Sequence, residues 1–142
     1  MPPSIGAAKS EKGGCLLLLG GGGERPALAA RVIAEVNRER TKRGLSRLRE
    51  SAELDRAAAV RARELTRSFG HTRPDGTRWT TVSRSALGEN IARGQKTADK
   101  VMAAWMSSAG HRGNILRGGF GSIGVCAYMY NGVTYWVQLF GR

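Results

Sequence analysis

Cysteine, histidine, aromatic residues and long apolar runs are all scarce in this chain, and each scarcity excludes a class of protein. Two cysteines, Cys15 and Cys126, make neither a disulfide framework nor a four-cysteine zinc site. The longest unbroken aliphatic run, Leu16 to Leu19, has four residues, far short of the roughly 20 that a membrane-spanning helix needs. Aromatics make up 6% of the chain and do not interleave with basic residues as in many nucleic-acid modules. There are no internal repeats. What remains is ample for one folded domain: 142 residues, 41% hydrophobic, enough to bury a core but short for two domains.

Acidic residues are also few, 11 against 23 Lys and Arg, which gives a net charge of +12. Such an excess speaks to partners and solubility, not to fold. Residues 1–24 differ from the rest: Pro2-Pro3, Lys9, Lys12, the short apolar run, then four glycines from Gly20 to Gly23. The glycines read as a flexible joint, and the segment reads as a Gly-rich tail or a degenerate leader. Its apolar run is shorter than the 7–15 residues or so of a secretory h-region, so it is no convincing signal peptide. Its two lysines and two glutamates cancel, leaving the whole +12 on residues 25–142, where the domain is placed.

Pro26 suits the first turn of a helix, and Leu28, Val32 and Val36 recur at spacing four, with Gly44 beyond them as a left-handed cap. Ser51 is a good N-cap for a second helix that buries Leu54, Ala57, Ala58, Ala62 and Leu65, with Arg56, Arg63 and Glu64 outside the stripe. Phe69 to Leu87 reads as irregular, with a turn at Pro74-Asp75-Gly76. Thr97 caps a third helix carrying Val101, Ala104 and Trp105 on one face. After Gly113 the period becomes two: Ile123, Val125, Ala127 and Met129 alternate, Asn131-Gly132 is a hairpin turn, and Val133 to Phe140 returns as a strand. The order implies an α+β fold with helices against an antiparallel sheet.

Few side chains carry chemistry. His71 and His111 are the only histidines, each in a Gly-rich segment after a predicted helix. Glu89 stands in Leu87-Gly88-Glu89-Asn90-Ile91, and a carboxylate among such neighbours needs a cation or donors; either histidine would serve. Two imidazoles and a carboxylate are also transition-metal ligand types, although the spacing alone forces no convergence. Ser107 and Ser108 precede His111 and offer a nucleophile, but no Gly-x-Ser-x-Gly elbow surrounds them. Cys126 falls within a predicted strand, where a buried thiol is expected.

Read in order, Val36-Asn37-Arg38-Glu39-Arg40, Gly44-Leu45, His71-Thr72, Pro74-Asp75-Gly76, Gly88-Glu89-Asn90-Ile91-Ala92, Trp105, Gly110-His111-Arg112, Asn114-Ile115-Leu116 and Tyr135-Trp136-Val137-Gln138 closely resemble a bacterial SCP domain of the CAP superfamily. The superfamily also holds cysteine-rich secretory proteins, insect venom antigen 5 and plant pathogenesis-related proteins. The resemblance implies a three-layer α-β-α sandwich around a central antiparallel sheet, with His71, Glu89 and His111 in one cleft. A second glutamate that many relatives outside bacteria carry is Ser108 here, so the carboxylate pair of a two-acid mechanism is lacking. In relatives the two histidines can hold zinc, which casts His71 and His111 as metal ligands and Glu89 as third ligand or orienter. The disulfides of animal and plant members are missing. Family activities are heterogeneous, so none is inherited with the fold.

Three readings follow. The first is a secreted or envelope-associated binding module, monomeric, with a cleft at His71, Glu89, Asn90, Ser108 and His111 and an anionic cell-wall polymer, lipid or glycan as partner. The second is a hydrolase in which a metal on His71 and His111 activates water and Glu89 acts as base. The third, nucleic-acid binding, is disfavoured because the arginines are scattered and no recognised motif accompanies them. Asn37, Arg40, Asn90 and Asn114 are expected to tie irregular segments by hydrogen bonds, and Trp105 and Trp136 to lie in the core.

Overall fold

The computed structural model describes residues 22–142; Cys15, the run Leu16–Leu19 and the rest of the proposed tail or leader lie outside them. Five strands form one sheet: β1 (Gly22–Glu24), β2 (Arg49–Glu50), β3 (Gly88–Arg93), β4 (Ser122–Tyr130) and β5 (Val133–Gly141). The lateral order is β1-β4-β5-β3, antiparallel throughout, and short β2 adds to β4 in parallel. The β4–β5 hairpin turns at Asn131 and Gly132, with φ of 49° and 76°. Both residues have positive φ, as a two-residue type I′ turn requires.

The described helices are α1 (Pro26–Thr41), α2 (Ala52–Leu65), α3 (Ala98–Met106) and α4 (Ala109–Ile115), with a 3-10 turn at Trp79–Val82. Pro26 opens α1, and Gly44 at φ +76° ends the turn that follows it. Ser51 Oγ accepts from the Leu54 amide and Thr97 Oγ1 from the Lys100 amide, each at 3.1 Å, so both predicted caps are in place.

The three layers follow from which side of β4 and β5 each residue occupies. Ile123, Val125, Ala127, Trp136 and Phe140 pack with Val32 and Val36 of α1, Val101 and Trp105 of α3, and Ile115. On the opposite face Cys126, Tyr128, Val137 and Leu139 pack with Leu54, Ala58, Ala62 and Leu65 of α2. Strands covered on both faces are apolar at nearly every position, not only at alternate ones. At Gly124 the backbone of α2 comes so close that a Cβ would lie 2.2 Å from the Leu54 carbonyl carbon.

Two sequence expectations are corrected here. Gly22 and Gly23, read as part of a flexible joint, pair with Tyr130 and Met129 in β1, so the sheet begins before Arg25. Backbone pairing needs no side chain, and a Cβ on Gly22 would meet the Tyr128 hydroxyl at 2.6 Å. His111 lies not in a loop but in α4, because the chain turns at Ser107-Ser108 and resumes as a second short helix.

Candidate functional site

Glu89 points inward from β3 and its side chain has no exposed surface. A lone carboxylate there would cost several kcal/mol, and two groups offset it. Arg61, on the buried stripe of α2, donates from Nε to Oε2 at 2.6 Å and from Nη2 to Oε1 at 3.1 Å. His71 Nδ1 meets Oε1 at 2.7 Å. With Nδ1–H donated to a carboxylate, the ring exposes Nε2 as its free nitrogen. The His71 side chain is 52% exposed, so the buried pair ends on an imidazole open to solvent.

Arg61 also holds the loop that delivers His71. Its Nη2 donates to the Gly70 carbonyl at 2.6 Å and its Nη1 to Glu64 at 3.1 Å. Glu64 is shared with Arg73, which donates to it from Nε and Nη2 at 2.7–3.1 Å. Burial works against the Arg61 charge, but Glu89 and Glu64 outweigh it and raise its pKa. Asp75 accepts from the Thr77 amide and Gly76 has φ +90°, closing the predicted Pro74-Asp75-Gly76 turn.

His111 approaches from α4. Its Nδ1 lies 2.9 Å from Ser108 Oγ, and its carbonyl accepts from Asn90 Nδ2 at 3.1 Å. Asn90 also donates to Gln138 and accepts from Asn114 Nδ2, both at 2.9 Å. These bonds fasten α4 to β3 and β5, as expected for Asn90 and Asn114. Burial, then the charge of His71, lowers the His111 pKa from its ordinary value.

Asn37 and Arg40 also tie irregular chain. Asn37 exchanges hydrogen bonds with the Leu48 backbone at 2.7 and 3.1 Å. Fully buried Arg40 donates to the carbonyls of Ser46, Ile115 and Arg117 at 2.8–2.9 Å. Trp105 and Trp136 lie in the core, 1% and 0% exposed, and Cys126 is fully buried.

Residues 33–140 match the cysteine-rich secretory protein family, CAP. The chain belongs to that family. It is 37% identical over 124 residues to the uncharacterized protein YkwD of Bacillus subtilis (strain 168), covering 82% of this chain and 48% of that protein. The chain thus spans about half the length of this relative. The fold matches an extracellular SCP-domain protein from Bacillus anthracis at TM-score 0.74 and 22% identity, covering 82% of this chain and 41% of that one. It also matches an outer surface protein from Borrelia burgdorferi at TM-score 0.75 and 23% identity, covering 85% and 98%.

The family's zinc chemistry fits this CAP domain poorly. Both Glu89 oxygens already have partners, Oε2 in Arg61 and Oε1 in Arg61 and His71, so the ligand role would compete with these bonds. Among the described residues no group of three His, Cys, Asp or Glu side chains is placed to hold a metal. Open-site zinc enzymes use three protein ligands; two imidazoles stand here. Nor do serine, histidine and acid form one relay. Ser108 contacts His111 while Glu89 contacts the other histidine, and the Ser107 hydroxyl is spent on the Ala103 carbonyl.

Arg61 is the residue that sequence reading missed. Its position is four after Ala57 and four before Leu65, on the stripe of α2 and not outside it. An arginine on a buried stripe, in a chain whose Glu89 needed a cation, was the available signal.

Proposed function

We propose that this CAP domain is a binding module for an acidic glycan of the cell surface, acting outside the cell or at its envelope. The observation that carries the reading is the Arg61–Glu89–His71 unit. A buried charge pair fixes one imidazole with Nε2 outward, and the reading groups with it the imidazole of His111, which meets the Ser108 hydroxyl at 2.9 Å. These are orienting groups for sugar hydroxyls and carboxylates. The net charge of +12 draws an anionic chain toward them. Similar proteins described as extracellular and outer surface proteins support that location.

Binding is favoured over hydrolysis because, among the described residues, the carboxylate at this site is already engaged. Glu89 is sealed between Arg61 and His71, and Ser108 stands where a second acid would be needed. Titration of hyaluronate, a carboxylated glycan, into the purified protein tests this. Saturable binding should weaken as salt rises and be lost in His71→Ala and His111→Ala. Affinity indifferent to salt or to both substitutions would contradict it, and release of reducing ends would point to the hydrolase instead.

A further inference from the structure

A second polar site lies where the sheet meets the start of α2. Arg49, Arg84 and Arg142 line a cavity of about 470 Å³ with Ser51, Ser85 and Ser122. It shares no lining residue with the histidine site. Six other arginines (31, 38, 43, 61, 63 and 73) are ion-paired with carboxylates. Arg49, Arg84 and Arg142 have no such partner among the described residues. Scattered arginines on a solvated surface would not be expected to meet in one cavity. Two acceptor groups of the protein also lie among the lining residues: Glu53, engaged by the hydroxyls of Ser83 and Ser85 at 2.7–3.0 Å, and the Arg142 main-chain oxygen, which accepts from Ser122 Oγ at 3.0 Å. Ser51 Oγ accepts from the Leu54 amide, which leaves its O–H free to donate.

We propose that this cavity binds phosphoryl groups. Three guanidinium forks and a hydroxyl offer more donors than the two oxygens of one carboxylate can accept, whereas a tetrahedral oxyanion can use them. A second cavity of about 420 Å³ shares Leu87 and Arg142 with the first and adds Arg117. The two together have room for successive phosphoryl groups on one chain. Glu53 lowers the local positive potential, so it limits affinity and disfavours indiscriminate anion capture.

The test titrates inorganic phosphate and linear polyphosphate into the protein, following backbone amide shifts of Ser51 and Ser85. Arg49→Ala with Arg84→Ala should weaken both ligands roughly tenfold or more, the size of a lost charge-assisted contact. Lys96→Ala with Lys100→Ala removes the same charge from exposed positions outside both cavities and should leave binding unchanged. Glu53→Gln should tighten it, and His71→Ala should not alter it. Absence of binding, equal weakening in both double variants, or loss of binding in His71→Ala would overturn the proposal. Polyphosphate gaining over phosphate, with only that gain lost in Arg117→Ala, identifies a chain as the ligand; equal affinity identifies a single phosphoryl group. Failure here leaves the glycan reading standing, because that reading is tested through His71 and His111.

Discussion

Arg61 and Glu89 have no exposed side-chain surface, so neither can lose its partner and be rescued by water. Arg61→Ala should therefore cost about 3–5 kcal/mol in urea unfolding, because Glu89 is left charged and buried. Replacing both, Arg61→Met with Glu89→Leu, should recover much of that loss while freeing His71. A single Arg61→Ala within about 0.5 kcal/mol of the parent would refute the buried-pair account. Asp55 at the start of α2 makes a separate prediction. Burial first, then a hydrogen bond with Glu50, pushes its pKa up from 3.8 to about 8, while it accepts from the Val125 amide at 3.0 Å. The folded state thus holds a proton that the unfolded chain releases above 3.8. That stability is complete in acid and is lost as pH rises through about 8. Asp55→Asn should flatten the fall in melting temperature between pH 3.8 and about pH 8; an unchanged slope would show Asp55 is not its source. His111 acts in the opposite sense: its lowered pKa favours the fold above 6.5 and withdraws support below it.

Packing at the level of elements rests on a few close approaches. Gly124→Ala would set a methyl against the α2 backbone and should prevent the native α2–β4 contact, seen as loss of cooperative unfolding. Trp105→Ala removes a core indole that donates to the Ile91 carbonyl at 3.1 Å and should cost about 3–5 kcal/mol. A stable, fully folded Trp105→Ala protein would contradict its core role. Periodicity made α1, α2, α3 and the β4–β5 hairpin legible, because each has an apolar stripe or a turn with local chemistry. It did not reveal β1 or α4. The glycines of β1 owe their order to β4, and α4 has only Ile115 buried, too little apolar surface to mark a stripe. In the same way His71, Glu89 and His111 could be nominated individually, but the choice of Arg61 as partner is made by the packing of α2 on the sheet.

The molecule as a whole combines a core without disulfides, no described helix long and apolar enough to cross a membrane, and a charge of +12. Charge of this size can gather anionic chains from a distance but is screened by salt; the imidazole site must supply orientation. The most direct measurement follows both imidazoles by NMR while hyaluronate is added to the whole protein. The account predicts that His71 and His111 ring signals shift together, saturate together and lose affinity as salt rises. Binding that leaves both rings unmoved, or that persists unchanged at high salt, would contradict it.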